Sequence, residues 1–294
     1  KMQNELSPRH PVPVSIFIAR PPFPVLFDSA HHHEHVEWSP CPELSMNFLI
    51  GLLAGITGGI TGGGGGIVMI PLLVGILKLD QHTAHGMSLV ALVFTGLAGA
   101  VTYAVNGAVD VTASLLMAAT AVVAARSGAH FAHALPEWKL KRSFGGYLMI
   151  VSILLPLKPH LAALPAPGWG MMKITVLLFT GALAGFTSGM MGAGGGAIMI
   201  PAMVLLAGFD QHVAQGSSLL AMVPAGSAGA YTHWKLGNVR TTLLGGLVPG
   251  VLLGSFLGGT LAHSLSDSAL RTIFAAVLIW TGIRYLRARK PDHN

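Results

Sequence analysis

Charged residues are scarce in this chain. Only 10% of its 294 residues are Asp, Glu, Lys or Arg, whereas 52% are hydrophobic and the mean hydropathy is +0.65. Soluble domains carry about 25% charged residues, so the composition excludes a soluble globular domain. Long apolar runs follow Met46, each close to the roughly 20 residues that a helix needs to cross a bilayer. The sequence therefore predicts an all-α polytopic membrane protein.

Cysteine is almost absent as well. Cys41 is the only one, which excludes an intrachain disulfide. The formal net charge of +6 would suit a nucleic-acid-binding protein, but the basic residues occur in short clusters between apolar runs. That distribution is typical of topology signals in membrane proteins. We therefore expect the lipid bilayer as a partner, and no nucleic acid.

Glycine, by contrast, is abundant and marks an internal repeat. A displacement of 130 positions places GLLAGITGGITGGGGGIVMIPLL on GALAGFTSGMMGAGGGAIMIPAM, and LDQHTAHGMSL on FDQHVAQGSSL. About half of the roughly sixty aligned pairs from Gly51 to Asp110 are identical, which indicates a duplication. The predicted regions are an extension expected to be disordered (1–45), repeat 1 (46–157), a linker (158–171), repeat 2 (172–288) and a tail (289–294).

The first apolar segment of each repeat is too long for one straight crossing. Residues 47–79 would span about 50 Å as a helix, against a hydrocarbon core of about 30 Å. A hairpin that enters and leaves on one face would leave three transmembrane helices per repeat and gather most basic residues on one side. The positive-inside rule favours this hairpin. It makes the two repeats inverted, with both termini cytoplasmic.

The glycine runs predict where the first helix of each repeat breaks. Five glycines begin at Gly62, and each weakens a helix interior by about 1 kcal/mol relative to alanine. Pro71 and Pro201 predict that the unwound stretch continues almost to the residue before each proline. Helix breaks at corresponding positions of two halves are typical of transporter binding sites. Free N–H groups and the N-terminus of the next helix suit an anion.

Close helix packing is the alternative explanation of the glycines. It suits Gly51, Gly55, Gly96 and Gly99, but five consecutive glycines exceed what packing needs. The predicted anion-binding residues are Gly64, Gly65, Gly66, Gly194, Gly195, Gly196, Thr57, Thr187, Ser88 and Ser218. For the serines, hydrogen bonds between helices are the alternative role.

The second repeated motif begins at Asp80 and Asp210, which we expect to cap the helices that follow. His82 and His212 lie in the first turn of those helices. They are candidates for proton coupling or substrate contact, and a hydrogen-bonded structural imidazole is the alternative. Tyr103 ends the first of these segments, where interfacial anchoring is the expected role.

Metal binding has weak support. His31, His32, His33, Glu34 and His35 form a run with metal ligands, but a flexible run fixes no coordination geometry. No convincing set of ligands joins the other histidines, so no metal site is predicted.

The duplicated motifs resemble the TauE/SafE sulfite exporter family, also called the toluenesulfonate uptake permease family. GITGGGGGIVMIPLL, HTAHGMSL and NGAVD carry the resemblance in the first half, and GMMGAGGGAIMIPAM, HVAQGSSL and LGNVR in the second. The resemblance covers positions 47 to 288. It implies a carrier of sulfite, sulfonates or related organosulfur anions in the bacterial inner membrane, with no cofactor. Met87 and Ser217 stand where the family usually has threonine.

Other functions remain as alternatives. A passive anion channel also uses backbone groups to select ions. A divalent-metal transporter would need carboxylates or thiolates along its pathway, and an intramembrane enzyme would need a catalytic group at membrane depth. The acidic residues lie mostly at predicted loop edges. We therefore expect a transporter and not an enzyme.

Overall fold

The computed structural model describes residues 42–131, 137–157, 170–192 and 194–287, and these form helices and short connections without any strand. The helices are α1 (Pro42–Thr61), α2 (Gly66–Gly75), α3 (Gln81–Val105), α4 (Val111–Phe131), α5 (Glu137–Leu154), α6 (Met171–Met191), α7 (Gly196–Leu205), α8 (Gln211–Lys235), α9 (Leu244–His263) and α10 (Asp267–Leu286). Six of the described helices, α1, α3, α4, α6, α9 and α10, are long and apolar enough to cross a membrane. The prediction of an all-α polytopic membrane protein is confirmed.

Several sequence predictions lie outside the described residues. They concern the histidine run at 31–35, most of the extension before residue 46, most of the linker and the C-terminal tail. Helix α1 begins at Pro42, before the predicted start of the first repeat at residue 46, and α6 begins at Met171.

The first apolar segment breaks at the glycines, as predicted. Helix α1 ends at Thr61, and the chain then turns back along it. The turn is shown by Gly65, where an added Cβ atom would lie 2.3 Å from the carbonyl oxygen of Ala54. The prediction of an unwound stretch reaching to the prolines is wrong. Helix α2 begins at Gly66 and α7 at Gly196, and each contains its proline, Pro71 or Pro201. Proline removes one N–H and one intrahelical hydrogen bond, a loss that membrane helices tolerate when surrounding groups satisfy the freed carbonyl.

Packing partners give the directions of the helices. Gly96 of α3 meets Leu219 of α8, whereas Gly226 of α8 meets Leu92 of α3, so these two helices are antiparallel. Helices α1 and α9 are parallel, because Gly51 meets Leu247 and Gly59 meets Ser255.

The remaining pairs complete the arrangement. Helices α4 and α6 are parallel, since Gly181 meets Met117 and Gly189 meets Ala125. Helix α9 is parallel to α3, because Ser255 bonds to Thr95 and Gly259 meets Thr102. Helices α1 and α6 therefore enter the bundle from opposite ends and stop at the glycine runs.

The two ends of the bundle differ in charge. At one end α3 and α5 begin and α8 and α10 finish, and we call this the basic end. Its cationic side chains include Lys141, Arg142, Lys235, Arg240 and Arg284. At the opposite end α8 and α10 begin and α3 and α9 finish, and the connections there include Asp110, Asp210 and Ser266.

Glycine stripes hold the parallel pairs together. A Cβ atom added to Gly55 would lie 2.6 Å from the carbonyl oxygen of Val251, and one added to Gly250 would lie 2.3 Å from that of Phe48. Small residues allow such close backbone approach in membrane helices. The packing role predicted for Gly51, Gly55, Gly96 and Gly99 is confirmed, since an added Cβ at each would crowd a neighbouring helix.

Candidate functional site

The two glycine breaks, residues 62–65 and 192–195, meet in the centre of the bundle. A Cβ atom added to Gly194 would lie 2.6 Å from the carbonyl oxygen of Gly63, and one added to Gly196 would lie 2.6 Å from the Cα atom of Gly63. The backbones of the two halves are therefore in contact at this point. Side chains on Gly194 or Gly196 would separate them.

Backbone conformation also requires glycine here. Gly64 has φ of 81° and its counterpart Gly194 has φ of 84°, a region that side-chain-bearing residues rarely adopt. Each added Cβ would also lie within 3 Å of a Leu92 methyl group. The breaks are thus built for close approach of backbone, with Leu92 beside both of them.

Each break leads into the N-terminus of a short buried helix. Gly65 and Gly195 are the residues before α2 and α7, and neither N-terminus has a capping hydrogen bond from a side chain. The carbonyl oxygen of Gly65 accepts from the N–H groups of Val68 and Met69. The first N–H groups of a helix lack intrahelical acceptors, and the helix dipole adds partial positive charge. Both short helices thus aim donors at the region where the breaks meet.

Ser88 and Ser218 connect each half to the break of the other half. Ser88 Oγ donates to the carbonyl oxygen of Gly192, and Ser218 Oγ donates to that of Gly62, each at 2.8 Å. Both serines are almost fully buried. The structure therefore brings both predicted serines to the breaks, with their hydroxyl protons used by backbone carbonyl groups.

Thr57 and Thr187 lie away from this contact. Thr57 Oγ1 donates to the carbonyl oxygens of Leu53 or Ala54, one turn back in its own helix. Thr187 does the same in α6 and is likewise half-buried. These two threonines satisfy their hydroxyl groups locally. Thr61 is nearer to the break, where its Oγ1 accepts from the N–H of Gly63 at 3.3 Å.

The two motif aspartates differ in their capping. Asp80 Oδ1 accepts a hydrogen bond from the N–H of Thr83 at 2.9 Å, so the predicted cap of α3 is confirmed. Asp210 occupies the corresponding position before α8, but its side chain makes no capping bond. His82 and His212 follow these residues and, because α3 and α8 are antiparallel, lie at opposite ends of the bundle.

A cavity of about 220 Å³ runs inward from the basic end. It has room for about seven water molecules at roughly 30 Å³ each. Exposed Arg284 lies at its surface, and buried Met191, the residue before the second break, lies at its inner part. The side chains that give it polar character are Gln81, His85, Lys141, Thr281 and Arg284. The cavity thus joins a cationic surface to a glycine break.

None of the cavity residues was predicted as a ligand from the sequence. Gln81 and His85 lie one turn apart on α3, and their side-chain nitrogen atoms are 3.4 Å apart. Both belong to the repeated motif, since Gln81 directly follows Asp80 and His85 directly precedes Gly86. Lys141 and Arg284 gave no such signal, because α5 and α10 come together only in the folded chain.

Polar side chains fill the opposite end. Tyr103 donates its hydroxyl proton to Gln215 Oε1 at 2.9 Å, and its ring lies 4.7 Å from that of His263. The expected anchoring role of Tyr103 is wrong, because the side chain is fully buried. His263 stacks on His212 with ring centres 5.3 Å apart.

His212 itself is held between two acceptors. Its Nδ1 contacts Asp267 Oδ1, and its Nε2 lies 3.2 Å from the carbonyl oxygen of Ala262. Both ring nitrogens can donate only in the protonated imidazole. The ring of His212 thus has an acceptor oxygen beside each of its nitrogen atoms. Across the described part of the chain, no three His, Cys, Asp or Glu residues form a group that could hold a metal ion.

Comparisons with known proteins agree with this architecture. A probable membrane transporter protein of Bacillus subtilis, YunE, is 26% identical over 260 residues, which cover 81% of this chain and 95% of the relative. One from Xylella fastidiosa strain Temecula1 is 28% identical over 247 residues, covering 81% and 90%. One from Haemophilus influenzae is 30% identical over 126 residues, covering 40% and 48%. No solved structure matches the chain.

The family comparison covers almost the whole helical region. The profile described as sulfite exporter TauE/SafE matches residues 47–285. This range contains both glycine breaks, both copies of the motif and the cavity. The chain therefore belongs to the TauE/SafE family of membrane transporters.

Proposed function

We propose that this transporter carries small sulfur-containing anions, such as sulfite, sulfonates or related organosulfur anions, across the bacterial inner membrane by alternating access. One observation carries the proposal. Two glycine breaks from opposite directions meet in the centre of the bundle, and each leads into a helix N-terminus without a side-chain cap. Broken helices of this kind hold the substrate in many secondary transporters.

The anion is held by backbone N–H groups of Gly64 to Gly66 and Gly194 to Gly196. Several donors around one site suit a sulfite or sulfonate group, whose charge is spread over several oxygen atoms. The hydroxyl groups of Thr57, Thr187, Ser88 and Ser218 remain predicted ligands. The serines support the proposal because they touch the breaks, while the threonines would have to exchange their present backbone acceptors.

The cavity supports passage of an anion from the basic end. Lys141 and Arg284 line it and raise the local concentration of anions. The positive-inside rule favours a cytoplasmic position for this end, together with the start of α1 and the end of α10. The repeats are then inverted, which agrees with the antiparallel directions of α3 and α8.

Packed polar contacts at the opposite end support a carrier over a channel. No continuous path is needed in a carrier, since a substrate is exposed to one side at a time. Polar contacts through Tyr103, His263 and His212 fill that end. His212 and His82 are the proposed proton-coupling residues, and the paired acceptors around His212 support this role.

Inverted repeats predict rocking of one repeat against the other, but backbone contacts between the repeats argue against this motion. Helix α1 packs along α9, and α4 along α6, through contacts between backbones. Rocking one repeat against the other would pull these pairs apart. The packing instead favours motion of the α1–α9 pair relative to the α4–α6 pair, with the glycine breaks between them.

Uptake of radiolabelled sulfite into proteoliposomes tests the proposal. Sulfate, thiosulfate, a small sulfonate and chloride serve as competitors, with and without a proton gradient. We expect saturable uptake that sulfur anions inhibit and a gradient accelerates. Fast, non-saturating flux of every anion would identify a channel. Absence of sulfur-anion flux from folded protein would refute the proposal.

Gly63 provides a variant that probes the site with little strain. The residue is buried, its φ is not positive, and an added Cβ would meet only Thr61 Oγ1, at 3.3 Å, within 4 Å. Gly63→Ala therefore places one methyl group where the breaks meet. We expect uptake to fall at least about tenfold with little change in thermal stability. Gly146→Ala on α5, where an added Cβ meets nothing within 4 Å, is the matched control.

A further inference from the structure

A continuous set of polar side chains runs from the first glycine break to the opposite end of the bundle. We call Gln215, Tyr103, His263, His212 and Asp267 the polar chain. Gln215 packs on Gly62, and each later member contacts the one before it, up to the pair of His212 with Asp267. The polar chain starts at the first glycine break, where the anion is proposed to bind, and ends where α8 and α10 begin.

Gln215 in the polar chain and Gln211, one turn before it on α8, are buried with unpaired polar atoms. Gln211 and Gln215 have no exposed surface. Neither side-chain amide atom of Gln211 has a hydrogen-bond partner, and neither has Gln215 Nε2. An unpaired buried polar atom costs about 1–3 kcal/mol. Native proteins contain few such atoms. Three of them on two neighbouring glutamines therefore suggest that these side chains have a functional role.

The equivalent residues of the first repeat indicate what this role is. At the offset of 130 positions, Gln211 and Gln215 correspond to Gln81 and His85. Those two residues line the cavity at the basic end. The same two positions are therefore open to a cavity in α3 and closed in α8. A carrier that alternates between two ends would exchange these conditions.

We propose that Gln211 and Gln215 bind the transported oxyanion or sulfonate when the opposite end is open, and that the contact of His212 with Asp267 is the gate over them. This inference rests on the proposed function and deepens it. The amide N–H groups that now lack acceptors donate to the anion oxygens in that state. Arg271, which is 3.4 Å from Asp267 on the same helix, stays beside that carboxylate when the gate opens.

The test separates a binding role from a structural one by measuring stability and transport together. Gln211→Leu removes two unpaired polar atoms from a buried site. A binding role predicts a thermal midpoint equal to or above that of the unsubstituted protein, and sulfite uptake at least about tenfold lower. A fall in the midpoint, or unchanged uptake, would overturn the inference. Val213→Leu, on the same turn and only half-buried, is the control.

Accessibility of the site gives an independent result. The only cysteine is Cys41, so a Cys41→Ser background allows Gln211→Cys and Thr281→Cys to be labelled singly with an impermeant thiol reagent in oriented vesicles. We expect labelling of the two positions from opposite faces of the membrane, with sulfite slowing both. Labelling of Gln211→Cys from the same face as Thr281→Cys, or no labelling of it, would overturn the inference.

The two proposals fail in distinguishable ways. If the unsubstituted protein moves no sulfur anion, the proposed function fails. If it moves sulfite and Gln211→Leu does so at the same rate, the function stands and only the role of the glutamines fails.

Discussion

Replacement of Gly55 by alanine tests whether backbone contact between α1 and α9 stabilises the bundle. The added methyl group would lie 2.6 Å from the carbonyl oxygen of Val251 and 2.9 Å from the backbone nitrogen of Ser255. The first distance is about 0.8 Å short of the 3.4 Å at which ordinary van der Waals contact begins. Both neighbours are backbone atoms, so the helices must separate.

The magnitude follows from two opposing effects. Overpacking of a well-packed interior costs about 1–3 kcal/mol, and the separation weakens dispersion contacts along the whole pair. Alanine gains about 1 kcal/mol over glycine from helix propensity. Because three backbone atoms are crowded, we take the upper end of the overpacking cost, about 3 kcal/mol. After the helix-propensity gain, Gly55→Ala should lower the free energy of unfolding by about 2 kcal/mol. For a chain of this size that corresponds to a thermal midpoint lower by about 4–8 °C.

Two matched variants show whether the change in stability comes from backbone crowding, because crowding and helix propensity change it in opposite directions. Gly185→Ala, at the corresponding position of α6, would place a methyl 2.3 Å from the carbonyl oxygen of Ala121 and should also destabilise. Gly146→Ala meets nothing within 4 Å and should stabilise by about 0.5–1 kcal/mol. Equilibrium unfolding in detergent micelles measures all three. If Gly55→Ala proved as stable as Gly146→Ala, the packing argument would be wrong.

Three further predictions concern single groups. Hydrogen bonds from the Thr83 side chain and N–H hold the pKa of Asp80 below its usual value of 3.8. The stabilisation from this cap is therefore fully present above pH 3.8 and is lost as the pH falls through the lower pKa of the folded state. Asp80→Ala should lower the free energy of unfolding by about 1 kcal/mol and remove this pH dependence, which acid titrations of unfolding would measure. Lys141→Gln with Arg284→Gln should raise the KM for sulfite several-fold at low salt and less at high salt, because ions screen the attraction; an effect independent of salt would contradict it. Ser218→Ala should lower the free energy of unfolding by about 1 kcal/mol, since it removes a buried hydrogen bond to the facing break; a thermal midpoint unchanged within error would contradict this.

Local signals in the sequence were sufficient for the helix boundaries near the breaks. The end of α1 at Thr61 and the start of α3 after Asp80 follow from glycine runs and a capping residue. Both depend on neighbours within a few positions. The start of α2 was not predicted, because the cost of Pro71 in a helix depends on what surrounds that helix.

Contacts between residues distant in the sequence could not be predicted from the sequence patterns. Tyr103 has the position of an interfacial anchor, yet it is buried because α8 and α9 close over it. The cavity unites residues from α2, α3, α5, α6 and α10. No residue spacing in the sequence predicts that these five helices line one cavity. The donors at the breaks were predicted because they are backbone groups, and glycine exposes backbone wherever it occurs.

The pairing of α1 with α9 and of α4 with α6 has a consequence for synthesis of the protein. The first half leaves the ribosome before α6 and α9 exist, so the glycine stripe of α1 and the alanine-rich face of α4 must stay against lipid until then. Neither half completes its packing alone. We therefore expect the final fold to form only after insertion of the second half. Two separately expressed halves should reassemble when made together, and each should be degraded when made alone.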